Sequence, residues 1–174
     1  MSDWSIVIED TAAADDERDL RDAVIAFNIR ATGHRDGRSL SCFLRDDAGR
    51  LVAGIDGFTW GGYGKIEWLW VDEALRGRGL GRRLAEAAIE EARARGCTSL
   101  VVDTHTFQAP WLYPKLGFEE IGRTTGTPRG HDQVYFQLAL APVTSHGPRT
   151  TFRSATPPAV RSGRDRRAKS SRRD

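Results

Sequence analysis

The chain has 174 residues, 39% hydrophobic and 29% charged, which suits one soluble globular domain with a sizeable core. No apolar run approaches the ~20 residues of a membrane-spanning helix, and "MSDWSIVIED" lacks the basic start and apolar centre of a secretion signal, so no membrane association and a cytoplasmic location are expected. The net charge of +2 hides an asymmetry: residues 142–174 hold nine Lys/Arg against two Asp, and residues 1–141 hold 17 Lys/Arg against 22 Asp/Glu.

The elements follow in chain order. "WSIVIE" (Trp4–Glu9) alternates like a first strand. From Asp15 to Ala31, Leu20, Val24, Phe27 and Ala31 recur at helical spacing, with acids in the first turn and Gly33 after the end. "RSLSCFLR" and "RLVAGIDGFTW" read as two strands around a "DDAG" turn, and "GGYG" makes the next turn. Lys65–Val71, "KIEWLWV", is apolar nearly throughout, which predicts a central strand covered on both faces. Leu80–Arg95 reads as a helix whose stripe runs through Leu84, Ala87, Ala88 and Ala92. Glu91 and Arg95 form a favourable i,i+4 pair in it, and Gly96 ends it. "CTSLVVDTH" is the next strand, "QAPWLYPKLG" a short helix closed by Gly117, and "FEEIG" and "DQVYFQLAL" the last two strands.

The order β-α-β-β-β-α-β-α-β-β predicts an α/β (α+β) single domain over residues 1–141. Residues 142–174, rich in Pro, Ser, Thr and Arg, bury too little surface to offset their ordering entropy and read as a disordered basic tail. Two cysteines, Cys42 and Cys97, make neither a disulfide framework nor a zinc site, and read as small buried hydrophobes.

"LRGRGLGRRL" (Leu75–Leu84) threads Gly77, Gly79 and Gly81 among Arg76, Arg78, Arg82 and Arg83, between an apolar strand and a helix. A helix start presents unpaired N–H groups and the positive end of the helix dipole. Glycines before it let the backbone approach an anion, and arginines add charge-assisted contacts, so the stretch reads as a phosphate cradle. It is not the dinucleotide fingerprint G-x-G-x-x-G, whose sixth position here is Arg82, nor a P-loop. What remains is R-x-x-G-x-G, Arg76-x-x-Gly79-x-Gly81, after a strand that is fourth in order.

At these residues the chain resembles the GNAT acyltransferase superfamily. "LWVDEALRGRGLGRRLAEAAIEEARARGC" is similar to its acyl-CoA-binding motif and following helix, and Ala109, Tyr113, Lys115, Leu116, Gly117 and Phe118 match its A-x-x-x-Y-x-K-L-G-F landmark. The resemblance covers about residues 4–141 and implies a mixed, mostly antiparallel sheet with a central splayed parallel strand pair and about four helices. It implies acetyl-CoA, or a related acyl-CoA, as co-substrate, its pyrophosphate on the amides of Arg78, Gly79, Leu80, Gly81 and Arg82, with Arg76 adding charge. The pantetheine arm is then held by the backbone of Val71, between Lys65–Val71 and Cys97–His105.

Acetyl transfer to an amine requires a deprotonated amine, donors for the oxyanion, and a proton for the departing thiolate. The resemblance implies Tyr113 as general acid, Glu67 as base through a water, and the Val71 amide as oxyanion donor. Asp103 and His105, at the end of the neighbouring strand, are further candidates for the base or for acceptor contacts. Pro114 and Thr106 depart from the family pattern, and Thr106 stands where an Asn is common. No Ser-His-Asp or metal-ligand spacing stands out, so direct attack in a ternary complex is expected, without a metal or a covalent acyl-enzyme.

The stretch from Thr104 to Leu140 resembles a bacterial branch of small-molecule acetyltransferases, so a primary amine of a small molecule is the expected acceptor. The acidic balance of residues 1–141 favours a cationic one by steering. Two alternatives stay open: a protein or peptide N-acetyltransferase, or a non-catalytic acyl-CoA-binding domain whose basic tail contacts nucleic acid. Of Trp4, Trp60, Trp68, Trp70 and Trp111, all possible acceptor-pocket residues, Trp68 and Trp70 read as core or interface. The family often dimerises through its late strands, which implies a homodimer.

Overall fold

The computed structural model describes residues 5–141. The basic tail and Trp4 lie outside the described residues. Residues 5–9, expected as a strand, are in no strand, and Ile6, Val7 and Ile8 stand exposed. Helix α1 (Ala14–Thr32) follows. Asp15, Asp16 and Glu17 oppose the dipole at its start, and Gly33 closes it in the left-handed conformation (φ 77°), its N–H donating to Ile29 O at 2.8 Å. None of the nineteen residues of α1 is buried.

The single strand expected over 38–45 is two segments, β1 (Arg38–Ser39) and β2 (Cys42–Arg45). Between them Leu40 is fully buried, and its N–H donates to Gly57 O at 2.9 Å. Both segments pair antiparallel with β3 (Leu51–Trp60). The turn into β3 is held by the Asp46 carboxylate, which accepts from the N–H groups of Ala48 and Arg50. A Gly61–Gly62 turn leads into β4 (Tyr63–Val71), antiparallel to β3.

A short 3₁₀ turn, Glu73–Leu75, precedes helix α2 (Leu80–Ala94). Then come β5 (Ser99–His105), two 3₁₀ turns at Pro110–Leu112 and Pro114–Leu116, β6 (Glu119–Thr124) and β7 (Gln133–Ala139). The helical complement among the described residues is therefore two α-helices and three short 3₁₀ turns. The sheet runs β1-β3-β4-β5-β7-β6, with β2 also on β3. All its pairings are antiparallel except β4 with β5.

One face of this sheet is packed. Leu84, Ala85, Ala88, Ile89 and Ala92 of α2 join a core with Ile55, Ile66, Leu100, Val102, Phe136 and Leu138. Alanines at 85, 88 and 92 let the helix axis lie close to the strands. Arg95, at the end of α2, donates to Glu91, to Ser39 O (2.8 Å) and to Thr59 Oγ1 (3.1 Å), tying the helix to the sheet. Cys97 is buried and Cys42 half-buried, and burial pushes both thiols up.

The expectation that β4 is covered on both faces does not hold. Asp56 pairs with Trp68 and Gly57 with Ile66, so Glu67 is an extra residue in a β-bulge. Gly57 makes this crossing possible: a Cβ there meets Lys65 O at 2.0 Å. After the bulge Leu69 and Val71 join the packed face, and Trp68 and Trp70 stand exposed on the other.

Candidate active site

The site begins where β4 and β5 part. They pair from Tyr63↔Ser99 to Ile66↔Val102 and no further, although β4 runs on to Val71 and β5 to His105. Beyond the bulge β4 stays on β3 as far as Ala53↔Val71. A gap thus opens between two parallel strands, its rims lined by unpaired backbone. Asp72 N–H donates to Val52 O at 2.9 Å, toward β3. Backbone groups alternate sides along a strand, so the N–H and C=O of Val71 turn toward the gap. The carbonyl is taken by Arg76 Nε at 3.2 Å, and the N–H faces the opening.

The glycine turn sits at the end of this gap. Gly77 and Gly79 adopt φ of 75° and 76°, and a Cβ built on either meets nothing within 4 Å. Gly79 caps α2, with no side-chain cap and no acid in the first turn. The first helical N–H to find an acceptor is that of Arg83, on Gly79 O at 3.0 Å. The N–H groups of Leu80, Gly81 and Arg82 therefore have no partner within the helix. Bare donors, the positive end of a fifteen-residue helix and no competing carboxylate in the first turn fit the pyrophosphate of a coenzyme A thioester. Three of the expected arginines are engaged with the protein: Arg76 with Val71 O, Arg78 with Ala74 O at 3.4 Å, and Arg82 with Glu86 at 2.7 Å. The exposed Arg82–Glu86 pair is worth little and yields readily to a phosphate.

Tyr113 lies on the packed face at the junction of the two late 3₁₀ turns. Its ring meets Phe118 edge-on (5.6 Å) and Phe136 (5.7 Å). Burial, with a smaller contribution from the Asp103 charge, pushes the phenol up to about 12, so it stays protonated at neutral pH. Its hydroxyl has no hydrogen bond among the described residues and is not fully sealed from solvent.

The carboxylates gather around the mouth of the gap. Glu67 is exposed at the bulge. Asp103, the residue after the last β5 position paired with β4, accepts from Gln133 Nε2 at 2.8 Å and lies 3.8 Å from Lys65 Nζ. The Tyr63 phenol is pushed up by burial first and then by the charges of Asp103 and Glu67, which places both carboxylates within electrostatic reach of one ring. His105 is stacked on Phe107 (5.1 Å), itself edge-on to His131 (4.8 Å). The backbone N–H of His105 donates to Gln108 Oε1, so His105 is held by an aromatic and loop arrangement of its own.

Lys65, Gln133 and Tyr63 are the site residues that sequence reasoning missed. Their signal is strand register, which places Lys65 beside Val101 and Gln133 beside His105, and no local motif encodes that. A recess of about 230 Å³ lined by Asp36, Arg38, Trp60, Arg95 and Cys97 lies at the other end of α2 and takes no part in this site. Among the described residues no cluster of His, Cys, Asp or Glu is arranged to hold a metal ion, and no helix is long and apolar enough to cross a membrane.

The acetyltransferase (GNAT) family model matches residues 4–118. The chain belongs to the GNAT acetyltransferase family. It is 36% identical over 118 residues to acetyltransferase Atu2258 of Agrobacterium fabrum, covering 68% of this chain and 86% of the relative. It is 38% identical over 96 residues to the blasticidin-S acetyltransferase of Streptomyces morookaense, covering 52% and 69%. The crystal structure of an acetyltransferase from Bacillus cereus superposes with a TM-score of 0.65 at 26% identity, over 77% of this chain and 98% of that one. This GNAT protein is an N-acetyltransferase, and its co-substrate is acetyl-CoA. The expected mixed sheet with one parallel pair is the fold observed.

Proposed function

We propose that this GNAT enzyme acetylates a primary amine of a small molecule by direct attack within a ternary complex. The observation that carries the reading is the gap between β4 and β5, which runs from the Glu67 bulge to the bare N–H groups before α2. A relative that acts on blasticidin-S supports a small-molecule acceptor.

When bound, acetyl-CoA supplies the thioester carbon that the amine attacks. The amides of Arg78, Gly79, Leu80, Gly81 and Arg82 hold its pyrophosphate, with Arg76 bracing the turn against Val71. The Val71 N–H, facing the gap, donates to the pantetheine arm or to the oxygen on which charge develops. An alkylammonium near pKa ~10 has no lone pair at neutral pH. Glu67, exposed at the bulge, takes that proton through a water, and Asp103, one residue past the last β4–β5 pair, draws a cationic amine to the mouth. Tyr113 keeps its proton at its hydroxyl oxygen. Being a weaker acid than a thiol of pKa ~8.5, it serves the departing sulfur first as a hydrogen-bond donor.

The test is thiol release from acetyl-CoA across a panel of polyamines, amino sugars, aminoglycosides and lysine peptides. The reading predicts turnover with at least one small amine. Turnover with peptides alone, or acetyl-CoA binding with no acceptor at all, contradicts it.

A further inference from the structure

The 26 basic residues of the chain are 23 arginines and three lysines, Lys65, Lys115 and Lys169. The distinction is chemical. A guanidinium does not give up its proton in a protein, whereas an ammonium can, so of the two only lysine can become a nucleophile. One of the three stands at the mouth of the gap. Lys65 of β4 lies opposite Val101 of β5, one pair before the strands part. Ile66 beside it is buried in the core, so Lys65 turns to the open face of the sheet. Its Nζ is 3.8 Å from Asp103 Oδ1, although Asp103 lies two residues further along β5 than Val101. At ~3.3 Å per residue the Lys65 side chain leans roughly 7 Å along the strands, past the last pair, Ile66↔Val102, and toward the opening.

The reacting end of acetyl-CoA belongs at the same place. Its phosphates and its sulfur are at opposite ends of one arm. With the phosphates on the amides before α2, at the Val71 end of the gap, the sulfur lies deeper, toward the Glu67 bulge. Tyr113 flanks that end from the packed face, close enough for the Asp103 charge to act on its phenol. Lys65 flanks it from the open face, against the same carboxylate. Lys115 has no such placement. It is exposed, over the Trp111 ring at 4.8 Å, in a surface recess shared with Arg82 and Glu86 of α2. Lys169 lies outside the described residues.

We propose that Lys65 is an acyl acceptor within the enzyme's own chain: bound acetyl-CoA acetylates its Nζ, once per chain. The inference rests on the proposed function, because it uses the same gap and the same base. The ammonium gives one proton to Glu67 through a water. The Nζ–carbon bond then forms as the carbon–sulfur bond breaks, and a second nitrogen proton leaves with the sulfur as free thiol. Nothing is oxidised or reduced. Most of an alkylammonium population is protonated at neutral pH, as for any amine acceptor. A tethered amine offsets this by an effective concentration that a free amine in solution does not reach. The product is neutral, so Asp103 loses its cationic neighbour and keeps the bond from Gln133 Nε2.

The test is mass spectrometry and peptide mapping of the full chain incubated with excess acetyl-CoA and no added amine. One acetyl group is expected on Lys65, arising at least about tenfold faster than on Lys115 or Lys169. Its rate is expected to be independent of protein concentration and to be suppressed by excess coenzyme A. Acetic anhydride, which needs no binding site, is expected to give the reverse order, with exposed Lys115 ahead of half-buried Lys65. Lys65→Arg keeps a positive charge beside Asp103 and is expected to remove the modification while the thermal melt stays unchanged. An unmodified Lys65, equal rates at the three lysines, a rate that rises with protein concentration or resists coenzyme A, or the same Lys65 preference with acetic anhydride overturns the proposal. The amine panel reads the acceptor chemistry separately. Turnover of a small amine with Lys65 unmodified removes this inference alone, and a modified Lys65 with no small amine turned over removes the acceptor reading alone.

Discussion

The two helices carry similar sequence signals and have opposite fates. Both show apolar residues at helical spacing and end at a left-handed glycine or just before one, Gly33 for α1 and Gly96 for α2. Yet α2 buries five residues against the sheet and α1 buries none. Periodicity fixes that a segment is helical and which stripe is apolar, but the partner of that stripe is set by what the chain connects it to. For α2 the connections are short and lead to two neighbouring parallel strands, so the helix must lie on their sheet. For α1 the connection is pinned to a turn at the sheet's end.

The largest expected contrast between these regions is thermodynamic. Ala88→Asp places an unpaired carboxylate at a position with no exposure, at a cost of several kcal/mol, and is expected to abolish the cooperative melt. Val24→Asp, on the exposed stripe of α1, is expected to leave the melt of the sheet and α2 cooperative; equal losses in the two variants show that α1 belongs to the same packed core. Next in size is the chemistry on the packed side. Tyr113→Phe removes the hydrogen bond to the departing sulfur and is expected to lower kcat by roughly a hundredfold, the upper end for a bond to a charged group, with the KM for acetyl-CoA little changed. Full activity in that variant removes Tyr113 from the reaction.

A matched glycine pair sharpens the comparison further. Gly33 and Gly79 have nearly the same φ (77° and 76°) and equally open space around a new Cβ. Alanine at either costs about 1–2 kcal/mol of backbone strain. On the proposed function only Gly79→Ala also puts a methyl group in the path of the pyrophosphate, and steady-state kinetics are expected to show a KM for acetyl-CoA about tenfold higher, equivalent to about 1.4 kcal/mol. Gly33→Ala is expected to leave that KM unchanged.

The last expectation is a pH dependence. Burial raises the Tyr113 phenol from its ordinary value to about 12, so the folded state holds this proton more tightly than the unfolded chain. The contribution is fully present below about pH 10 and is lost as pH rises toward 12. Denaturant midpoints measured across that window are expected to fall, and to fall less steeply in Tyr113→Phe.

Much of the site is local in sequence and so was legible there. The R-x-x-G-x-G turn, the strand before it and α2 after it are consecutive, and each declares itself by glycine, period or cap. The same holds for Tyr113 to Gly117, where two prolines and a glycine punctuate the late 3₁₀ turns. What escaped depends on register. The bulge at Glu67 is invisible in "KIEWLWV", because an apolar run does not reveal which residue opposes two, and that single insertion turns Trp68 and Trp70 outward. The Lys65–Asp103–Gln133 contacts join three strands and follow only from their pairing. The first strand expected over Trp4–Glu9 misled for a related reason: alternation marks a segment able to pair, and the edge it needs was not specified by the same residues.

The account rests on backbone N–H groups as the holders of the acetyl-CoA phosphates, and amide hydrogen exchange with and without acetyl-CoA reads those groups directly. The prediction is slowed exchange confined to residues 78–82 and to Val71, with α1 unchanged. Exchange in those amides that is indifferent to acetyl-CoA, or protection located elsewhere in the chain, contradicts it.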